Sequence, residues 1–174
     1  MNHLTLRGAC AALILATGLA APGLAQVSTN VVATEGDWTV FSGDKPRECW
    51  AVSPPKSTQN TKDGKPVEVQ RGDIRLYVAY RPGSEGEVSF SGGYPFAPDS
   101  TVEVNIGGQT FSLFTEGENA WTGSTSEDAK LIGALRAGSS ATVTGRSSRG
   151  TKTVDTFSLS GITAATNKAK AECK

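Results

Sequence analysis

The chain has 174 residues, and its 17 basic and 17 acidic side chains give a formal net charge of zero. That balance excludes a chain steered to nucleic acid or to an anionic lipid surface, and the length suits one domain with its own core. The one histidine, His3, lies in a stretch that reads as a removable leader. The folded part is thereby denied the histidine-dependent nucleophiles and metal sites.

Residues 1–25 carry that leader. Arg7 precedes an apolar run, Gly8–Ala21, which Pro22 breaks, and Gly23-Leu24-Ala25 sets small residues before Gln26. Charge, apolar core and small-residue site in this order predict a secretory signal peptide cut after Ala25. The run is shorter than the roughly 20 apolar residues of a membrane span. Cys10 opens the apolar run, whereas a lipid-carrying cysteine would follow it, so a lipoprotein is not expected. The predicted destination is the periplasm, with outer-membrane association or secretion as further addresses. Loss of Arg7 leaves one more acidic than basic residue.

Beyond the leader, residues 26–36 read as a polar lead-in and residues 37–174 as a single β-rich domain. Asp37–Ser42 and Arg47–Ser53 flank Gly43-Asp44-Lys45-Pro46 and predict a hairpin. In Asp73–Arg81, Ile74, Leu76, Val78 and Tyr80 alternate with a second face, the period of a half-buried strand. Glu87–Gly92 is its expected partner. Thr101–Ile106 and Gln109–Thr115 alternate on either side of Gly107-Gly108, a strong hairpin signal. Asn119–Thr122 reads as a short strand, and Ser140–Gly145 with Thr153–Ser160 as the last pair.

Two helices are expected. Ser124-Thr125-Ser126-Glu127 has the form of a capping box ahead of Leu131, Ile132 and Leu135, with Gly138 as the stop. From about Ile162, the residues Ile162, Ala165, Ala169 and Cys173 share one stripe at helical spacing. The predicted class is mainly β, an antiparallel β-sandwich or open barrel with two short helices. Cys49 and Cys173 remain after the leader is lost, and in an oxidising compartment an even pair reads as one intramolecular disulfide. Two free thiols and a bridge between chains are the competing readings.

The search for chemistry returns little. Ser53-Pro54-Pro55-Lys56 matches S-x-x-K, but two prolines oppose the helical turn that a serine–lysine pair needs. Gly64-Lys65 lacks the rest of a phosphate loop. Glu116 and Glu118, the nearest approach to a hydrolytic carboxylate pair, sit beside Gly117 and read as a solvated turn. Pro54–Arg71 reads as a long polar loop, of the kind that is functional or disordered. It leads into Arg71-Gly72-Asp73, a tripeptide this composition produces by chance often enough to carry no receptor assignment.

Two features are candidate contacts. Arg146, Arg149 and Lys152 with nearby hydroxyls form a basic hairpin loop able to hold phosphate, sulfate or an acidic sugar, against the simpler reading of a solvated turn. Tyr94 and Phe96 flank Pro95 at a strand exit and read either as a partner patch or, the favoured reading, as a plug in the core. Trp38, Trp50 and Trp121 are expected in the core more strongly still.

Several stretches together resemble the invasion-associated locus B proteins of alphaproteobacteria. They are Trp38-Thr39-Val40 followed by Cys49, then Ser53-Pro54-Pro55-Lys56-Ser57, Gly93-Tyr94-Pro95-Phe96 and Phe111-Ser112-Leu113-Phe114, and finally Ser148-Arg149-Gly150-Thr151 running into Asp155–Gly161. The resemblance implies a small exported domain of the cell envelope, linked by name to host-cell invasion in some pathogens and present also in free-living species. It implies no established enzymatic activity and no agreed set of binding residues, and no cofactor is expected. The sequence reading is therefore a non-enzymatic envelope interaction protein whose partner is an envelope or surface protein. The alternative is a periplasmic module for a small anionic ligand or glycan, and a carboxylate hydrolase is third. Catalytic and metal residues are expected to be none; partner identity and oligomeric state stay open.

Overall fold

A computed structural model describes residues 30–174. The predicted leader, with Cys10 and the expected cut after Ala25, lies outside the described residues. Twelve strands and two helices follow in chain order. The strands are β1 (Val31–Glu35), β2 (Trp38–Asp44), β3 (Arg47–Ser53), β4 (Ser57–Lys62), β5 (Lys65–Pro66), β6 (Arg75–Tyr80), β7 (Glu87–Ser91), β8 (Thr101–Ile106), β9 (Gln109–Glu116), β10 (Asn119–Trp121), β11 (Ser140–Arg146) and β12 (Lys152–Ser158). The helices are α1 (Thr125–Ala137), before β11, and α2 (Ile162–Glu172), at the end.

Every pairing is antiparallel, and the strands form one open sheet in the order β1-β2-β3-β6-β7-β10-β9-β8-β11-β12-β4-β5. Its period-two alternation sends one set of side chains inward on each strand, as on β8, where Val102, Val104 and Ile106 are buried and Thr101, Glu103 and Asn105 exposed. The sheet curls until its halves face each other: Phe90 of β7 meets Phe157 of β12 edge to face at 6.1 Å. The start of β2 reaches the end of β12, where the Trp38 indole N–H donates to the Ser158 carbonyl at 3.1 Å. The edges at β1 and β5 stay unjoined.

Helix α1 packs on β7 and helix α2 on β1, β2, β3 and β6, and the two helices meet where Arg136 of α1 donates to Asn167 of α2 at 2.6 Å. Ser124 caps α1 by accepting from the Glu127 amide, while the Glu127 carboxylate accepts from the Gly123 amide at 2.8 Å. The buried Asp128 carboxylate accepts from the Val88 amide at 2.7 Å, just where the β10 ladder on β7 ends at Ser89. Helix α2 packs its small residues Ala165 and Ala169 onto β1, β2 and β3. Its entry needs Gly161, which has φ +92° and whose added Cβ would lie 1.9 Å from the Glu35 carbonyl oxygen.

Cys49 of β3 and Cys173 after α2 form the disulfide, with Cα atoms 5.8 Å apart and a sequence separation of 124. Both sulfurs are buried. Arg47 next to the bridge donates through Nε to the Glu172 carbonyl at 2.9 Å, so the chain's last turn is held twice.

Three features differ from the sequence reading. The polar lead-in supplies β1, an edge strand. The long loop 54–71 contains β4 and β5, strands without apolar alternation. Trp38 is fully buried, as expected, but Trp50 and Trp121 are only half-buried and lie on the outer face.

Candidate functional site

The residues 66–74 cross the open end of the curled sheet as a strap. It is tied by the Val67 amide to the Asn60 carbonyl at 3.0 Å and by the Gly72 amide to the Gly93 carbonyl at 2.8 Å. Between these ties Arg71 turns inward. Its Nη1 and Nη2 donate to the two carboxylate oxygens of Asp155 at 2.7 Å each, and its Nε donates to the Gly92 carbonyl at 3.0 Å. The Arg71 side chain is 5% exposed and that of Asp155 is 0% exposed. Asp155 occupies an inward position on β12 between Thr153 and Phe157, and a carboxylate there needs a partner. Burial holds its carboxyl above the ordinary aspartate range, with the bonds and charge of Arg71 opposing. Arg71 of the Arg-Gly-Asp tripeptide is therefore committed inside the fold, while Asp73 is exposed.

The Tyr94 ring covers the guanidinium of Arg71 at 4.9 Å, a cation–π contact. Its hydroxyl pairs with that of Thr153 at 2.5 Å, and its ring meets Phe96 edge-on at 5.0 Å. Burial raises the Tyr94 phenol above its usual range, with the Thr153 bond and Arg71 opposing. The segment is set by its backbone: the Ala97 amide donates to the Arg146 carbonyl at 2.9 Å and the Ser148 amide to the Pro95 carbonyl at 2.8 Å. These bonds bring the aromatic segment beside the turn joining β11 to β12.

Gly93 makes the approach of strap and segment possible. It has φ +70°, and a Cβ there would stand 2.6 Å from the Gly72 carbonyl oxygen. Gly93→Ala should lower stability by more than about 1 kcal/mol, read by urea unfolding, because strain and clash add. A loss within experimental error would mean that the strap is not seated as described.

The result is a cleft of about 290 Å³ whose floor is Arg71 and Tyr94 and whose rim includes Gln70, Glu118, Ser148 and Arg149. Of the predicted contact residues, Tyr94 and Arg149 meet here. Phe96 is buried beneath, 7% exposed. Arg146 and Lys152 are exposed but do not line the cleft. Glu116 and Glu118 are exposed on the β9–β10 turn, where Glu118 reaches the rim and Glu116 does not. Ser53 and Lys56 do not pair: the serine hydroxyl donates to the Asp37 carbonyl at 2.9 Å, and the lysine forms an ion pair with the Asp37 carboxylate. Among the described residues no group of three or more His, Cys, Asp or Glu side chains is placed to hold a metal ion. Sequence reasoning missed the Arg71–Asp155 pair, whose members are 84 residues apart; the inward parity of Asp155 was the available signal.

An open antiparallel sheet, clipped from β3 to helix α2 and plugged at the mouth by a buried ion pair, defines a β-rich class of fold with a rim cleft. The chain belongs to the invasion associated locus B (IalB) protein family, whose model matches residues 38–170. Among solved structures it is similar to invasion associated protein B from Bartonella henselae, at 16% sequence identity and a TM-score of 0.54, covering 80% of this chain and 95% of that one. At that identity the likeness concerns the fold. No curated protein matches the chain.

Proposed function

We propose that this protein is an exported, non-enzymatic interaction protein of the cell envelope, and that the cleft at the sheet's mouth is its contact surface. The observation that carries the reading is the contrast between floor and rim. The floor side chains Arg71 and Tyr94 are bonded to Asp155 and Thr153 and so are rigid, whereas Arg149 on the rim is exposed and has no ion pair among the described residues. A preorganised floor with a rim residue ready to pair favours recognition over chemistry. Two further facts support it: the described residues contain no histidine, and both of their cysteines are bridged. The periplasm, or the outside of the cell, is the address that goes with the predicted leader and the bridge.

The test is chemical cross-linking in intact cells with the unaltered protein and with Arg149→Glu. The expected result is a discrete product with one envelope protein that the charge reversal reduces at least tenfold. Products containing only this chain, or a product indifferent to the reversal, would count against the reading.

A second reading has one specific observation in its favour. Arg149, the hydroxyls of Ser148 and Thr151 and the Tyr94 ring line the same cleft, a donor set suited to a small anionic ligand or an acidic sugar. On an anionic glycan array Arg149→Glu should then abolish binding while Arg146→Glu, outside the cleft, should not. Absence of binding by the unaltered protein, or equal loss in both variants, removes it.

A further inference from the structure

The outer face of the sheet carries aromatic residues in a register that the core does not require. Cross-strand partners are Val52 with Tyr77, Tyr77 with Ser89, Ser89 with Trp121 and Trp121 with Phe114. Partners directly opposite each other in an antiparallel sheet project to the same side, so these residues form one row across β3, β6, β7, β10 and β9. Phe114 is 50% exposed although large and apolar. Its ring lies 5.9 Å from that of Trp121, with the planes within 30° of each other, so the pair makes a nearly continuous platform.

Beside this pair lies a groove of about 370 Å³, lined also by Glu87, Asp128 and the hydroxyl-bearing Thr122 and Ser124. Its charged groups are both carboxylates and both are engaged, Glu87 with Arg81 at 3.3 Å and the buried Asp128 with the Val88 amide at 2.7 Å. With its charges already partnered, the groove favours a neutral occupant that offers hydroxyl donors over an ionic one. An aromatic face with carboxylate and hydroxyl acceptors beside it matches a pyranose ring, which has one apolar C–H face and hydroxyls around its edge. Successive strands stand about 4.8 Å apart, close to the length of one sugar unit, so a row across the strands can follow a chain of them.

We propose that the Phe114–Trp121 groove is a binding site for a neutral oligosaccharide, with the row through Ser89 to Tyr77 continuing the track. The site is separate from the mouth cleft and does not depend on the reading given to that cleft. It differs from an anionic-glycan site in having no cation in its lining.

The test is titration calorimetry of the disulfide-bonded protein with neutral hexasaccharides of glucose and of N-acetylglucosamine, in α- and β-linked forms, and with an anionic glycan as the contrast. Binding of at least one neutral hexasaccharide is expected, weakened at least tenfold by Trp121→Ala and by Phe114→Ala. Phe114 is exposed enough for its alanine variant to fold, and an unchanged circular dichroism spectrum and melting midpoint check this. No binding of any neutral hexasaccharide at millimolar concentration overturns the proposal. So does undiminished binding by Phe114→Ala, or binding of the anionic glycan alone.

Discussion

Asp155→Ala should destabilise the fold by about 3–5 kcal/mol, because it strands a guanidinium whose one ion pair among the described residues is with Asp155. Arg71 is fixed by the strap on one side and by Tyr94 on the other, and its side chain is almost fully covered. Loss of the carboxylate removes two charge-assisted hydrogen bonds and leaves the positive charge out of water. Removing both charges is a different case. Arg71→Met combined with Asp155→Leu eliminates the desolvation cost along with the attraction, so the double variant should lose much less than the sum of the single ones. Urea unfolding of the two single variants and the double variant measures the coupling. If Asp155→Ala costs under about 1 kcal/mol, water must reach the pair and the mouth is not plugged as described.

The second large effect belongs to the bridge. Replacing Cys49 and Cys173 by serine opens a loop of 124 residues and should cost about 4–5 kcal/mol in the chain-entropy account. Part of that loss is local. Helix α2 buries small residues, so its own apolar area is modest, and its last turn is held by the bridge and by Arg47. Reduction should therefore release α2 before the sheet, seen as early amide exchange in residues 162–172. Equal exchange rates in α2 before and after reduction would mean that packing alone holds the helix.

How much of this could be read from the residues depends on whether a strand has an inside. The hairpins β2–β3, β8–β9 and β11–β12 alternate apolar and polar side chains because one face is buried, and the alternation is visible in the chain. Strand β4, Ser57-Thr58-Gln59-Asn60-Thr61-Lys62, is polar on both faces, and β1 is an edge strand with no fully buried residue; neither has a period to detect. Helix α1 was legible from its cap and α2 from its stripe. Trp50 was legible in principle. It stands between Cys49 and Ala51, both buried, and parity alone sends it to the opposite face. The same holds for Trp121, between Ala120 and Thr122.

The candidate site was legible only in part. Tyr94 and Arg149 were marked by their types, an aromatic at a strand exit and a cation on a turn. Their meeting depends on the backbone bonds of Pro95 and Ala97 to Ser148 and Arg146, which no local pattern announces. Arg71 was disguised by a polar segment and a familiar tripeptide, and its partner is supplied by another strand far along the chain.

The proposed envelope role rests on the predicted export of the chain followed by oxidation to the bridge. Intact mass of the protein purified from its native envelope, without reductant, tests this most directly. The account predicts a chain beginning at Gln26, two hydrogens lighter than the reduced form and inert to a thiol alkylating agent after unfolding. A chain that keeps Met1–Ala25, or one in which Cys49 and Cys173 both take up the reagent, would contradict it.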